Sequence, residues 1–186
     1  MERVDLVKMV LQDLKEQEQA PLHEKSAPAS KERGVSFPMC NLHRTDSGVV
    51  SLEPCARFSV PGCFTSPESI DTFCRGQLFL QKRVEEYLYV IALGAKGRPL
   101  MISEVSHGTV NGSFSSPRDI FSRCLLAGAS GFVLVHNHPS GDCSPSKEDL
   151  KTMEVIKKAA ELMELDFVDS LIVGRETFSF RSQQII

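Results

Sequence analysis

The run Val135-His136-Asn137-His138-Pro139-Ser140-Gly141-Asp142-Cys143-Ser144-Pro145-Ser146-Lys147-Glu148-Asp149 gathers side chains able to ligate a metal. His136 and His138 are one residue apart, and Asp149 lies eleven residues beyond the second. Alternate residues at a strand end project the same way, so both imidazoles can face one point. Pro139, Gly141 and Pro145 can turn the chain and bring a following helix back to that point, with Asp149 one turn into it. Two neutral imidazoles and a carboxylate suit zinc, and three protein ligands leave the fourth tetrahedral position to water. His23, His43 and His107 stand apart from any comparable set.

Coordination lowers the pKa of such a water toward about 7, within reach of a nearby carboxylate acting as base. Glu86 heads an apolar run and so stands at a sheet end. Glu85 is its rival, because successive strand residues point to opposite faces. Glu104, in the next run, is a third candidate. Ser146 could donate its hydroxyl to the oxyanion formed when a carbonyl is attacked. A serine followed three residues later by an acid is equally a helix capping box, which Ser146 and Asp149 fit without catalysis. Cys143 reads more simply as a small loop residue than as a nucleophile. Cys40 and His43 have the gap of a zinc knuckle, with Cys55 and Cys63 further on, but the later spacings are irregular.

These groups need elements to place them. Val4, Val7, Val10, Leu11 and Leu14 recur at helical spacing, which predicts a short amphipathic helix over residues 1–19. From 20 to 63 the chain reads as a linker followed by an irregular segment with prolines at 38, 54 and 61. Ser66-Pro67-Glu68 opens a helix to about Lys82, and Ser116-Pro117-Arg118-Asp119 opens another to about Ala127. Tyr87 to Leu93 and the run from Leu100 toward Gly108 form a hairpin, and Gly131 to Val135 is a buried central strand that delivers His136. A helix from Ser146 carries Leu150, Met153, Ile156, Ala160 and Met163 on one face, expected to be core. Two strands around Gly174 close a domain spanning 64–186. The order implies an α/β fold with a mixed sheet flanked by helices.

Composition bounds the function. With 24 acids against 21 bases, spread evenly, neither half is a basic nucleic-acid arm. No stretch approaches the roughly 20 apolar residues of a membrane span, and the first residues lack a signal peptide's apolar core, so a cytoplasmic protein with reduced cysteines is expected. Nothing in the pattern sets an oligomeric state.

At His136, His138, Ser146 and Asp149 the chain resembles the JAB/MPN metalloprotease motif: an upstream glutamate, His-x-His, seven residues, Ser, two residues and Asp. The run from Val135 to Asp142, with Pro145-Ser146, is similar to the RadC branch, and the likeness extends over roughly the last 120 residues. It implies the JAB/MPN, cytidine deaminase-like sandwich, with His136, His138 and Asp149 as zinc ligands, Ser146 as oxyanion partner and Glu86 as general base. RadC-like chains commonly read Leu-Asp-His where this one has Val168-Asp169-Ser170, and residues 1–63 show no helix-hairpin-helix element. The activity implied is zinc-dependent cleavage of an amide bond in a peptide, a protein or a ubiquitin-like conjugate. Two other readings are a DNA-repair or DNA-binding module, which even charge and two tyrosines support weakly, and a non-catalytic scaffold binding a partner through residues 1–63.

Overall fold

The computed structural model describes residues 34–108 and 116–186, all within the unit Glu32–Ile186. The helix expected over 1–19 and the linker after it lie outside the described residues. The stretch 35–63, expected to be irregular, is instead a long antiparallel hairpin of β1 (Val35–Arg44) and β2 (Val50–Val60). β2 is an edge strand exposed along most of its length, so it lacks the inside-outside alternation by which strands are recognised. Pro54 falls beside a register shift at Met39/Cys40, where a missing N–H is tolerated. Phe37 and Phe58 project from this hairpin to meet Phe73, with ring centroids 5.4 Å apart in each case.

α1 (Pro67–Gln77) starts at the Ser66 cap as expected but ends five residues early. Phe79 takes a left-handed conformation (φ 52°), and the short 3-10 turn after it sends Leu80 into the core. β3 (Glu86–Leu93) and β4 (Pro99–Gly108) form the expected hairpin. Its turn needs glycine at Gly97, with φ of +72° and room for a β-carbon blocked by the Phe64 carbonyl oxygen at 2.2 Å. Then come α2 (Pro117–Leu126), β5 (Gly131–Asn137), α3 (Lys147–Leu162), β6 (Asp166–Val173) and β7 (Thr177–Ser179).

The strands make one mixed sheet in the order β2-β1-β4-β3-β5-β6-β7. Alternate residues of β3 and β5 supply two cores. Tyr89, Ile91, Val133 and Val135 pack with Ile70 and Phe73 of α1; Leu88, Val90, Phe132 and Leu134 pack with Ile120 of α2 and Met153 and Ile156 of α3. The sheet is therefore sandwiched, and every residue of β5 is buried. The buried stripe of α3 is Asp149, Met153, Ile156 and Ala160; Leu150 and Met163, expected in the core, are 42% and 40% exposed. The stripe is rotated toward Asp149. No helix among the described residues is long and apolar enough to cross a membrane.

Candidate metal centre

The sheet face that carries α2 and α3 ends in a polar cluster. His136, near the end of β5, aligns with Leu88 of β3 and with Ile172 of β6, and it is fully buried. His138, the next residue on that face, lies just past the strand. Asp149 begins the buried stripe of α3, and this burial, unusual for a carboxylate, turns it toward the two rings.

The donor atoms converge. The Nε2 atoms of His136 and His138 are 3.2 Å apart. Asp149 Oδ1 is 3.3 Å from Nε2 of His136, and Oδ2 is 3.6 Å from Nε2 of His138. A tetrahedral ion bound at roughly 2.0–2.1 Å has ligand-to-ligand edges of about 3.3–3.4 Å. The spacings of the three side chains lie near those edges. Glu86 joins them: its carboxylate and the two imidazoles offer ligand atoms all within 4.8 Å of one another. Two carboxylates thus border the imidazole pair, the buried Asp149 at 3.3 and 3.6 Å and the half-buried Glu86 within 4.8 Å.

Surrounding groups orient these donors. Nδ1 of His138 lies 2.7 Å from the Asp142 carbonyl, which can only accept, so Nδ1 carries a proton and the neutral ring keeps its lone pair on Nε2, toward Asp149. Asp149 raises the pKa of His138 against the opposing effect of burial, and the Asp142 carbonyl adds to this. Burial alone would raise the pKa of Asp149, but the two histidines and Ser146 outweigh it and hold the carboxyl well below its usual range.

Of the three candidate bases, the sheet brings only Glu86 to the centre. Glu86 lies two residues before Leu88, which is paired with His136, and so shares its face. Glu85 is exposed. Glu104 pairs with Tyr89 on the opposite face and is engaged with His107. Asn137, which the sequence pattern does not single out, ties down the backbone on either side of Glu86. Its Oδ1 accepts from Tyr87 N at 2.8 Å and its Nδ2 donates to the Glu85 carbonyl at 3.0 Å. A side chain pointing away from the two histidines that flank it was the available signal.

Ser146 forms the capping box. Its Oγ accepts from Asp149 N at 3.0 Å, and its own N–H donates to Asp149 Oδ2 at 2.6 Å. Capping and proximity to the histidines are thus compatible roles for one aspartate, and the serine hydroxyl, acting as acceptor there, keeps its proton to donate. Cys143 packs against the second core. The Cys40 set does not assemble: Cys40 is buried against Ala92 and Met101, His43 faces Glu53 at 3.4 Å, and Cys55 donates to the Met39 carbonyl.

The RadC-like JAB domain family matches residues 64–185. Among similar curated proteins, a UPF0758 protein of Thermotoga maritima is 38% identical over 124 residues, covering 63% of this chain and 54% of that protein. One from Chlorobaculum parvum is 36% identical over 113 residues, covering 58% and 51%. The chain spans about half the length of these relatives. With the motif, the sandwich and a match over most of its length in agreement, the chain belongs to the RadC-like JAB domain family.

Proposed function

We propose that the protein is a zinc-dependent hydrolase of amide bonds, acting on a peptide or an isopeptide-linked protein. The observation that carries this reading is the pair of imidazole nitrogens 3.2 Å apart, each with an Asp149 oxygen at 3.3 or 3.6 Å, bordered by the half-buried Glu86. His136, His138 and Asp149 would hold the ion. When bound, it supplies a Lewis acid that polarises the scissile carbonyl and makes a water acidic enough to be deprotonated near neutral pH. Glu86 takes the proton from the attacking water and passes it to the leaving amine, so that the C–N bond breaks to give a carboxylic acid and an amine. The Ser146 hydroxyl donates to the oxygen that becomes negative as the carbonyl is attacked. Asn137 keeps Glu86 at the end of β3 while this happens.

Metal content and cleavage of peptide and ubiquitin-like isopeptide substrates, measured in the parent and in Glu86→Gln, test the proposal. Retained zinc with lost cleavage supports it. Cleavage unchanged by Glu86→Gln removes Glu86 from the role of base, and no cleavage by a zinc-loaded parent over a broad substrate panel rejects the hydrolase.

A further inference from the structure

We infer that Asp71, Arg75 and Thr177 form a clamp that positions the metal ligands from the far side of the sheet. The inference rests on reading His136, His138 and Asp149 as ligands, and concerns what sets their affinity.

The chain of contacts starts on α1, which packs on the face away from the centre. Arg75 Nε donates to both Asp71 oxygens, at 2.8 and 2.9 Å. A pair within one helix needs nothing more, yet the two terminal nitrogens of Arg75 reach residues about a hundred positions on. One donates to the Gly174 carbonyl at 3.2 Å and the other to Thr177 Oγ1 at 2.8 Å. Thr177 Oγ1 in turn donates to Asp71 Oδ1. The guanidinium fork therefore holds the turn between β6 and β7 at two points.

That turn grips the ligand loop. The Val173 carbonyl accepts from His138 N at 3.1 Å, and Arg175 N donates to the Gly141 carbonyl at 2.9 Å. Gly141 N donates back to the His138 carbonyl at 2.9 Å, and the next residue, Asp142, supplies the carbonyl that orients the His138 ring. The fit leaves no slack, because a β-carbon on Gly174 would lie 2.5 Å from the Gly141 carbonyl oxygen. A shift of the turn is thus transmitted through Gly141 and Asp142 to the direction of the His138 lone pair. Arg75 and Thr177 are positioning residues; neither touches the centre.

The experiment measures zinc affinity by competition with a chromophoric chelator, and the visible spectrum of the cobalt(II)-loaded protein, in the parent, Thr177→Val, Thr177→Ser, Gly174→Ala and His138→Ala. Removing an outer partner of a metal ligand typically lowers affinity about 10- to 100-fold. Thr177→Val, which keeps the shape and loses both hydrogen bonds, should lower zinc affinity about tenfold and alter the cobalt bands. Thr177→Ser should restore both. Gly174→Ala should act as Thr177→Val does through a different atom, which serves as the deciding variant if Thr177→Val does not fold. A purely structural tie would lower the denaturation midpoint but leave folded protein with parental affinity and cobalt spectrum, and that result overturns the clamp. A parent that takes up no metal, or a His138→Ala variant that binds as the parent does, overturns the ligand reading and the clamp with it.

Discussion

Two histidine and carboxylate clusters sit at the same end of the sheet on opposite faces, and they differ in where their polar atoms point. On one face Glu104 accepts from Tyr89 Oη and lies 2.6 Å from Nδ1 of His107, whose ring stacks on Tyr87 at 5.3 Å. Burial and the Glu104 charge push the Tyr89 hydroxyl well up, so it stays a donor to Glu104. The residues satisfy one another, and His107 is 55% exposed. On the other face the Nε2 atoms of two histidines confront each other at 3.2 Å beside a carboxylate, in a site where His136 and Asp149 are buried. Ring nitrogens and a carboxylate brought this close under burial need a proton or a cation shared among them. The contrast teaches that histidines and acids in proximity are common, and that convergence under burial is what makes the second cluster the candidate metal site.

The contrast can be broken most sharply at a ligand. Asp149→Ala should abolish zinc binding at micromolar protein, whereas Glu104→Ala should leave it at the parental level; equilibrium dialysis with metal analysis separates them. Next in size, Glu86→Gln should keep zinc and reduce amide hydrolysis by about 10²- to 10⁴-fold, the usual contribution of a general base. Asn137→Ala should destabilise the fold by about 0.5–1.5 kcal/mol, because it removes two part-buried hydrogen bonds, from the Tyr87 N–H and to the Glu85 carbonyl; urea denaturation of metal-free protein reads this directly.

A pH series sharpens the comparison further. The pKa of His138 is raised in the folded chain, so its stabilising contribution is full below the unfolded value of about 6.5 and is lost as pH rises through the folded value. The pKa of Asp149 is lowered, so its contribution is full above about 3.9 and is lost as pH falls through the folded value. Metal-free protein should therefore lose this part of its stability on the alkaline side, while zinc affinity, competing with the His138 proton, should rise over the same range. Denaturant midpoints and chelator competition across pH 5.5 to 8.5 check both signs. The smallest effect belongs to the other cluster. His107→Gln should change stability by no more than about 1 kcal/mol, as for a partly exposed ion pair, and leave metal binding unaltered.

Much of this arrangement could be read from residue order. Ser66-Pro67 and Ser116-Pro117 mark helix starts because a hydroxyl satisfies free N–H groups and proline suits the first turn. The apolar run before His136 is short and unbroken because β5 is covered on both faces. The hairpin of β1 and β2 was not legible, since an exposed edge strand has no buried face to impress on its sequence. The face of α3 was misjudged for a related reason. Apolar spacing finds Met153, Ile156 and Ala160 but adds Leu150 and Met163, while the stripe begins with a charged residue, Asp149, whose burial makes sense only with the histidines beside it. Choosing among Glu85, Glu86 and Glu104 required the register of β3 against β4 and β5, a long-range property that no local spacing encodes.

The most direct test of the central claim is a crystal structure of the zinc-loaded protein with anomalous data at the zinc edge. The account predicts one peak bonded to Nε2 of His136, Nε2 of His138 and a carboxylate oxygen of Asp149, with Glu86 outside the protein ligand set. A peak elsewhere, or none at these three side chains despite saturating zinc, would contradict it.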